Sequence, residues 1–245
     1  MSLWYGWARL VGVGTAAAGL GSWVCWRWHF SWGWAALAAV VGLGIEIGST
    51  PARIRRDRAQ GRHLRAAVGL EFLGDIVPWA SWKAALRLQR ASCYLAEGYL
   101  DAGGGLLRDV DRSELPERLR PVWDVNYAYY LLAAEGQAAQ SLRVLDESQE
   151  IWPQEMPASR AVRGLALAEL GLLPEAATEL ARILERMDLS PAEAAEAYFH
   201  LATVWRRLGH EEYAREQLVL ASAAGGACLY ARLARQELGQ ESSSS

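Results

Sequence analysis

Cysteine is scarce in this chain of 245 residues. Cys25, Cys93 and Cys228 stand far apart, with no C-x-x-C spacing. Neither a disulfide framework nor a thiolate metal site is written into the sequence. His29, His63, His200 and His210 are equally scattered, so no ligand spacing for a metal exists. There is no Gly-x-Ser-x-Gly elbow, no phosphate-binding P-loop and no dinucleotide glycine fingerprint. These absences leave no expectation of catalysis, metal or cofactor, and they favour a binding protein over an enzyme.

Charge is missing from one region in particular. Residues 1–50 carry only Arg9, Arg27 and Glu46. Leu10–Trp26 and Phe30–Ile45 are uncharged runs of 17 and 16 residues. Each is a little short of the ~20 residues that cross a bilayer, and the flanks extend them. Seven of the twelve tryptophans fall within the first 34 residues. Trp4 and Trp7 lie at one end of the first run, and Trp26, Trp28 and Trp32 lie around the connection, where interfacial aromatic belts belong. The expectation is a transmembrane helical hairpin over residues 1–50. The competing readings are a buried hydrophobic core, which runs of this length also allow, and a cleaved signal peptide, which would leave the second apolar run in place. Glu46 reads as an interfacial carboxylate beside Arg53.

Residues 51–65 then carry six arginines against Asp57, whereas the remainder of the chain has 17 basic and 26 acidic residues. A basic collar between an apolar head and an acidic body is a juxtamembrane segment, with Arg53, Arg55 and Arg56 at the membrane interface. The positive-inside rule places the collar, the body and both termini on the cytoplasmic side. Nucleic acid is not an expected partner, since the body carries the acidic excess. Residues 51–80 read as this collar plus a short linker helix, ended by Val77-Pro78.

The body, residues 81–226, repeats a helical hairpin. Gly98, Gly136, Gly171 and Gly209 are 38, 35 and 38 residues apart, each at the end of a helix. Pro116, Pro121, Pro153, Pro157 and Pro191 separate the hairpins. In the last hairpin Tyr198-x2-Leu201-Ala202-x2-Trp205 precedes Leu208-Gly209 and then Ala214-x3-Leu218. The preceding copy runs Gly164-x2-Leu167, Leu170-Gly171 and Ala176-x3-Leu180. Ala91, Gly164 and Ala202 are small residues for close helix approach, and Tyr129 departs from that rule. Gly103-Gly104-Gly105 predicts a late or irregular start for one second helix. Residues 227–245 read as a capping helix followed by a disordered tail.

This pattern resembles the tetratricopeptide repeat family over four copies. The resemblance implies an all-α chain in which stacked helix pairs form a solenoid. It also implies that a protein or peptide binds in a concave groove lined by the first helix of each pair. The small-and-bulky pattern assigns to that groove Leu88 and Ser92, then Trp123, Asn126 and Tyr130. In the last two hairpins it assigns Ala161, Leu165 and Glu169, then Phe199, Thr203 and Arg206. The function expected is a membrane-tethered scaffold that recruits a partner to the inner face. The alternative is a structural or assembly subunit of a membrane complex, held to other transmembrane helices by its Trp- and Gly-rich hairpin.

Overall fold

The computed structural model describes residues 49–152, 156–185, 189–224 and 226–244, with side chains as far as Gly239. The expected membrane hairpin, with Trp4, Trp7, Trp26, Trp28, Trp32 and Glu46, lies outside the described residues. Among those described, no helix is long and apolar enough to cross a membrane. All regular structure in them is helical.

The described chain begins within a helix, α1 (residues 49–59). It turns at Gly61 into α2 (His63–Ile76) and, after Val77-Pro78, into α3 (Ala80–Ala96). Then come α4 (Leu100–Arg108), two single 3-10 turns, α5 (Arg120–Ala133), α6 (Ala138–Ile151), α7 (Pro157–Glu169) and α8 (Leu173–Leu184). The last three are α9 (Pro191–Arg207), α10 (Glu211–Ala224) and α11 (Leu229–Ser244).

Local signals start and stop these helices. Proline occupies the first turn of α5, α7, α8 and α9, where its missing N–H costs no hydrogen bond. Ser190 and Glu193 form a reciprocal capping box ahead of α9. Gly98, Gly136, Gly171 and Gly209 all adopt positive φ, between 66° and 82°, and close the helices before them.

Packing proceeds by neighbours. α3–α4, α5–α6, α7–α8 and α9–α10 are antiparallel pairs, and each pair also packs on the next, as in an α-solenoid. The core is accordingly a row of clusters, each shared by successive helices. Leu88, Leu95, Leu107 and Tyr130 join α3, α4 and α5. Val125, Leu145 and Val162 join α5, α6 and α7, and Leu180, Ile183 and Leu201 join α8 to α9.

Four sequence expectations change. The glycine run does not disturb α4, which is regular through Gly103, Gly104 and Gly105. A Cβ at Gly103 would lie 2.7 Å from Leu95, and one at Gly104 would run into the Tyr130 ring. Close packing on α3 and α5 therefore offsets the low helix propensity. Tyr129 is not an irregularity in packing either. The cap of α5 closes one residue later than the others: Gln137 N–H reaches Leu131 O, whereas Tyr99, Leu172 and His210 each reach back five residues. The small position shifts with it to the fully buried Ala128. α2 is part of the stack, because Ala66, Ala67 and Leu70 share a core with Ile54 of α1 and with Leu86 and Cys93 of α3. Finally, α11 continues past Leu238 to Ser244 in place of a disordered tail. Once a helix is docked, each added residue costs little and gains one hydrogen bond.

Candidate functional site

The two ends of the described stack meet. The turn between α1 and α2 abuts the start of α11 so closely that a Cβ at Gly61 would lie 2.5 Å from Cys228 Cβ. Arg232 of α11 donates to Glu97, at the end of α3, over 2.9 Å. The Tyr129 and Tyr230 hydroxyls lie 3.3 Å apart. Between these contacts and the helix pairs lies a cavity of about 610 Å³, open to solvent on part of its surface.

The first helix of every pair contributes to this cavity. Ser92 and Leu95 come from α3, and Val125, Asn126 and Tyr129 from α5. Ala158 and Val162 come from α7, and Ala192, Glu193 and Glu196 from α9. Arg55, Arg58 and His63 enter from α1 and α2, Tyr230 from α11 and Cys228 from the turn before it. The lining is thus an apolar floor with two arginines on one element and two glutamates on another.

Of the residues the sequence assigned to the groove, the structure brings Ser92 and Asn126 into it. Asn126 Nδ2 donates to Ser92 Oγ over 2.7 Å, joining α3 to α5 at the floor. Ser92 in turn donates to Leu88 O at 3.1 Å. The other assigned side chains lie elsewhere. Leu88 is fully buried in the core between α3, α4 and α5. Tyr130 is buried against Gly104 and Arg108, and Trp123 stacks on Tyr127 with ring centroids 4.9 Å apart. Ala161 and Leu165 pack into the α7 cores. Glu169 faces Arg207 at 3.6 Å, and Thr203 is exposed with its hydroxyl on Phe199 O. Phe199 packs on Tyr230 at 5.6 Å. Arg206, expected to hold a partner's carboxylate, already holds Glu237 of α11 at 2.8 Å. In α7 and α9 the cavity uses the opening turns of the helix, whereas the assignment ran further toward their C-terminal ends. Arg53 donates to Thr50 Oγ1 at 3.1 Å, while Arg55 and Arg56 are exposed.

Sequence reasoning missed Glu196, His200, Tyr129 and Tyr230. Glu196 and His200 are four residues apart on α9, a spacing that puts both on one face. Their nearest approach, 4.0 Å, is too long for a hydrogen bond, and His200 Nε2 has no hydrogen-bond partner. Glu196 lines the cavity, and about a third of its side chain is accessible. Burial pushes its carboxyl up to about 7, helped by the neighbouring Glu193 charge. Burial also lowers His200 to about 4, so the imidazole is neutral at physiological pH. The two residues are therefore not an ion pair there.

The arrangement is suited to binding. Burial raises the Cys93 thiol to about 11 and the Cys228 thiol above its usual value, so neither is primed as a nucleophile. Among the described residues no cluster of three or more His, Cys, Asp or Glu side chains could hold a metal ion. No family model matches the sequence, and comparison with curated proteins and with solved structures found no match.

Proposed function

We propose that this chain is a membrane-tethered scaffold of the tetratricopeptide type, which takes a segment of a protein partner into the cavity on its concave side. The observation that carries the reading is the cavity lining itself. Four first-position helices supply an apolar floor, and the Asn126 carboxamide, held by its bond to Ser92, offers its oxygen and second N–H to a peptide backbone. Arg55 and Arg58 have no ion-pair partner among the described residues and offer donors to an acidic group. A concave, mostly apolar site with a few convergent polar groups is the usual form of a binding site. The apolar, Trp-rich residues 1–48 supply the tether, and the arginine collar supports a cytoplasmic body with both termini inside.

The test is co-purification of the full-length protein with its partner, with and without Ala158→Trp. Ala158 is exposed within the cavity, so the added ring fills space without entering the core. Partner capture should fall ten-fold or more, about 1.4 kcal/mol, with helicity and melting unchanged. Full capture by a stably folded Ala158→Trp protein would exclude the cavity as the site. Capture that depends only on residues 1–48 would favour a membrane-complex subunit instead. A protease-accessible C-terminus on the outer side of the membrane would overturn the topology.

A further inference from the structure

The described chain begins at Ser49, directly after the apolar, Trp-rich segment, so the end of the stack that holds Ser49 adjoins that segment. α1 runs back along α2 in the opposite direction. Ile54 shares a core with Ala66, Ala67 and Leu70, and a Cβ at Gly69 would meet both Ile54 and Thr50. α2 continues beyond this level to Ile76. With 1.5 Å per residue, the loop that follows projects roughly 5–10 Å further toward the apolar segment than Thr50 does.

That loop carries an unusual surface. Pro78, Trp79, Ala80, Ser81 and Trp82 are all exposed, and no charge lies between Asp75 and Lys83. Trp79 is 65% exposed and Trp82 is 59% exposed, whereas Trp123, Trp152 and Trp205 are half-buried. Trp79 is the N-cap of α3, and Trp82 follows three residues later on its opening turn, so the rings share a side of the helix. Indole is an amphipathic ring that favours the boundary between headgroups and acyl chains. Arg53 and Arg56 stand within two turns of Ser49, where cations meet anionic headgroups.

We propose that Trp79 and Trp82 insert into the lipid headgroup layer and form a second membrane contact, which fixes the tilt of the helical stack on the bilayer. This inference rests on the membrane tether proposed above. Two contacts at one end of the stack, one spanning and one interfacial, hold the body in a defined pose. A single tether would leave it free to swing.

The test uses the full chain in vesicles of phosphatidylcholine and phosphatidylglycerol. Cys25 is replaced by serine, and a polarity-sensitive fluorophore is attached at Trp82→Cys or, separately, at Trp79→Cys. Tyr213→Cys, on the exposed start of α10, is the reference. Cys93 and Cys228 are buried and remain. Flotation first establishes whether the chain associates with the vesicles. The expected result is flotation, with emission at positions 79 and 82 shifted to the blue and quenched by brominated lipid at least five-fold more than at 213. Flotation with labels that brominated lipid does not quench overturns the inference and leaves the tether standing. Blue-shifted but unquenched labels mean that protein covers the loop, which also overturns it. A chain that does not float removes the tether and the inference together.

Discussion

The first and third helix pairs solve one packing problem from opposite sides. In the first pair the glycine is on the second helix, and Leu95 of α3 lies over Gly103 of α4. In the third the glycine is on the first helix, and Leu180 of α8 lies over Gly164 of α7. What is preserved is one leucine laid over one missing side chain, not the helix that carries either. The two regions differ also in their polar ties. Around the first pair, Arg112 donates two hydrogen bonds to Asp124, at 2.6 and 2.8 Å, and Ser148 donates a third at 2.9 Å. This buried carboxylate binds the connection after α4 to both α5 and α6. Around the third pair, Glu179 accepts from Arg160 and Arg182 at a more open site.

The largest effect should follow from removing the two carboxylates in turn. Asp124→Ala strands the arginine and leaves Ser148 without its acceptor, at a cost of about 3 kcal/mol. Glu179→Ala should cost about 1 kcal/mol or less, because water screens and replaces its partners. Urea unfolding of each variant measures the difference, and equal losses would erase this distinction between the regions.

Glycine substitutions come next, and they should split by sign. Gly104→Ala drives a methyl into the Tyr130 ring, and Gly164→Ala drives one into Leu180, each costing roughly 1–3 kcal/mol. At Gly105 a Cβ meets nothing within 4 Å. There Gly105→Ala should stabilise by roughly 0.5–1 kcal/mol through helix propensity alone. If Gly104→Ala and Gly105→Ala shift the melting temperature alike, the glycine run is not there for close approach.

The smallest effect depends on pH and concerns the last pair. A carboxyl raised in the folded state binds more protons folded than unfolded, so Glu196 lowers stability as pH rises from about 4.5 through about 7. The buried neutral His200 acts in the opposite direction, with stability lost as pH falls from 6.5 through about 4. Glu196→Gln should therefore raise the melting temperature at pH 8 and leave it unchanged at pH 4. A uniform shift at both would place Glu196 in ordinary solvent.

Much of this fold was legible because its signals are local. The prolines between hairpins and the four glycine ends can be read within a few residues of each helix boundary. The all-α architecture and its pairs follow from them. What was not legible depends on contacts across the chain. Gly103 and Gly104 read as helix breakers because their partners, Leu95 and Tyr130, are known only once the helices cross. Tyr129 read as an exception because one extra residue before Gly136 moves the register, and that shows only in the cap hydrogen bonds. Helical phase put Asn126 and Ser92 on the sides of α5 and α3 that line the cavity. Phase alone does not say how far along each helix the cavity extends, so Thr203 and Arg206 were assigned to a surface that α11 and solvent share.

The contact between Gly61 and Cys228 joins positions 167 residues apart in the chain. An open array of helix pairs folds from any point and frays from its ends, because each unit answers only to its neighbours. Joining the ends adds one seam that cannot form until the units between them are in place, and its loop entropy must be overcome last. The same seam leaves neither end of the described stack free to fray alone.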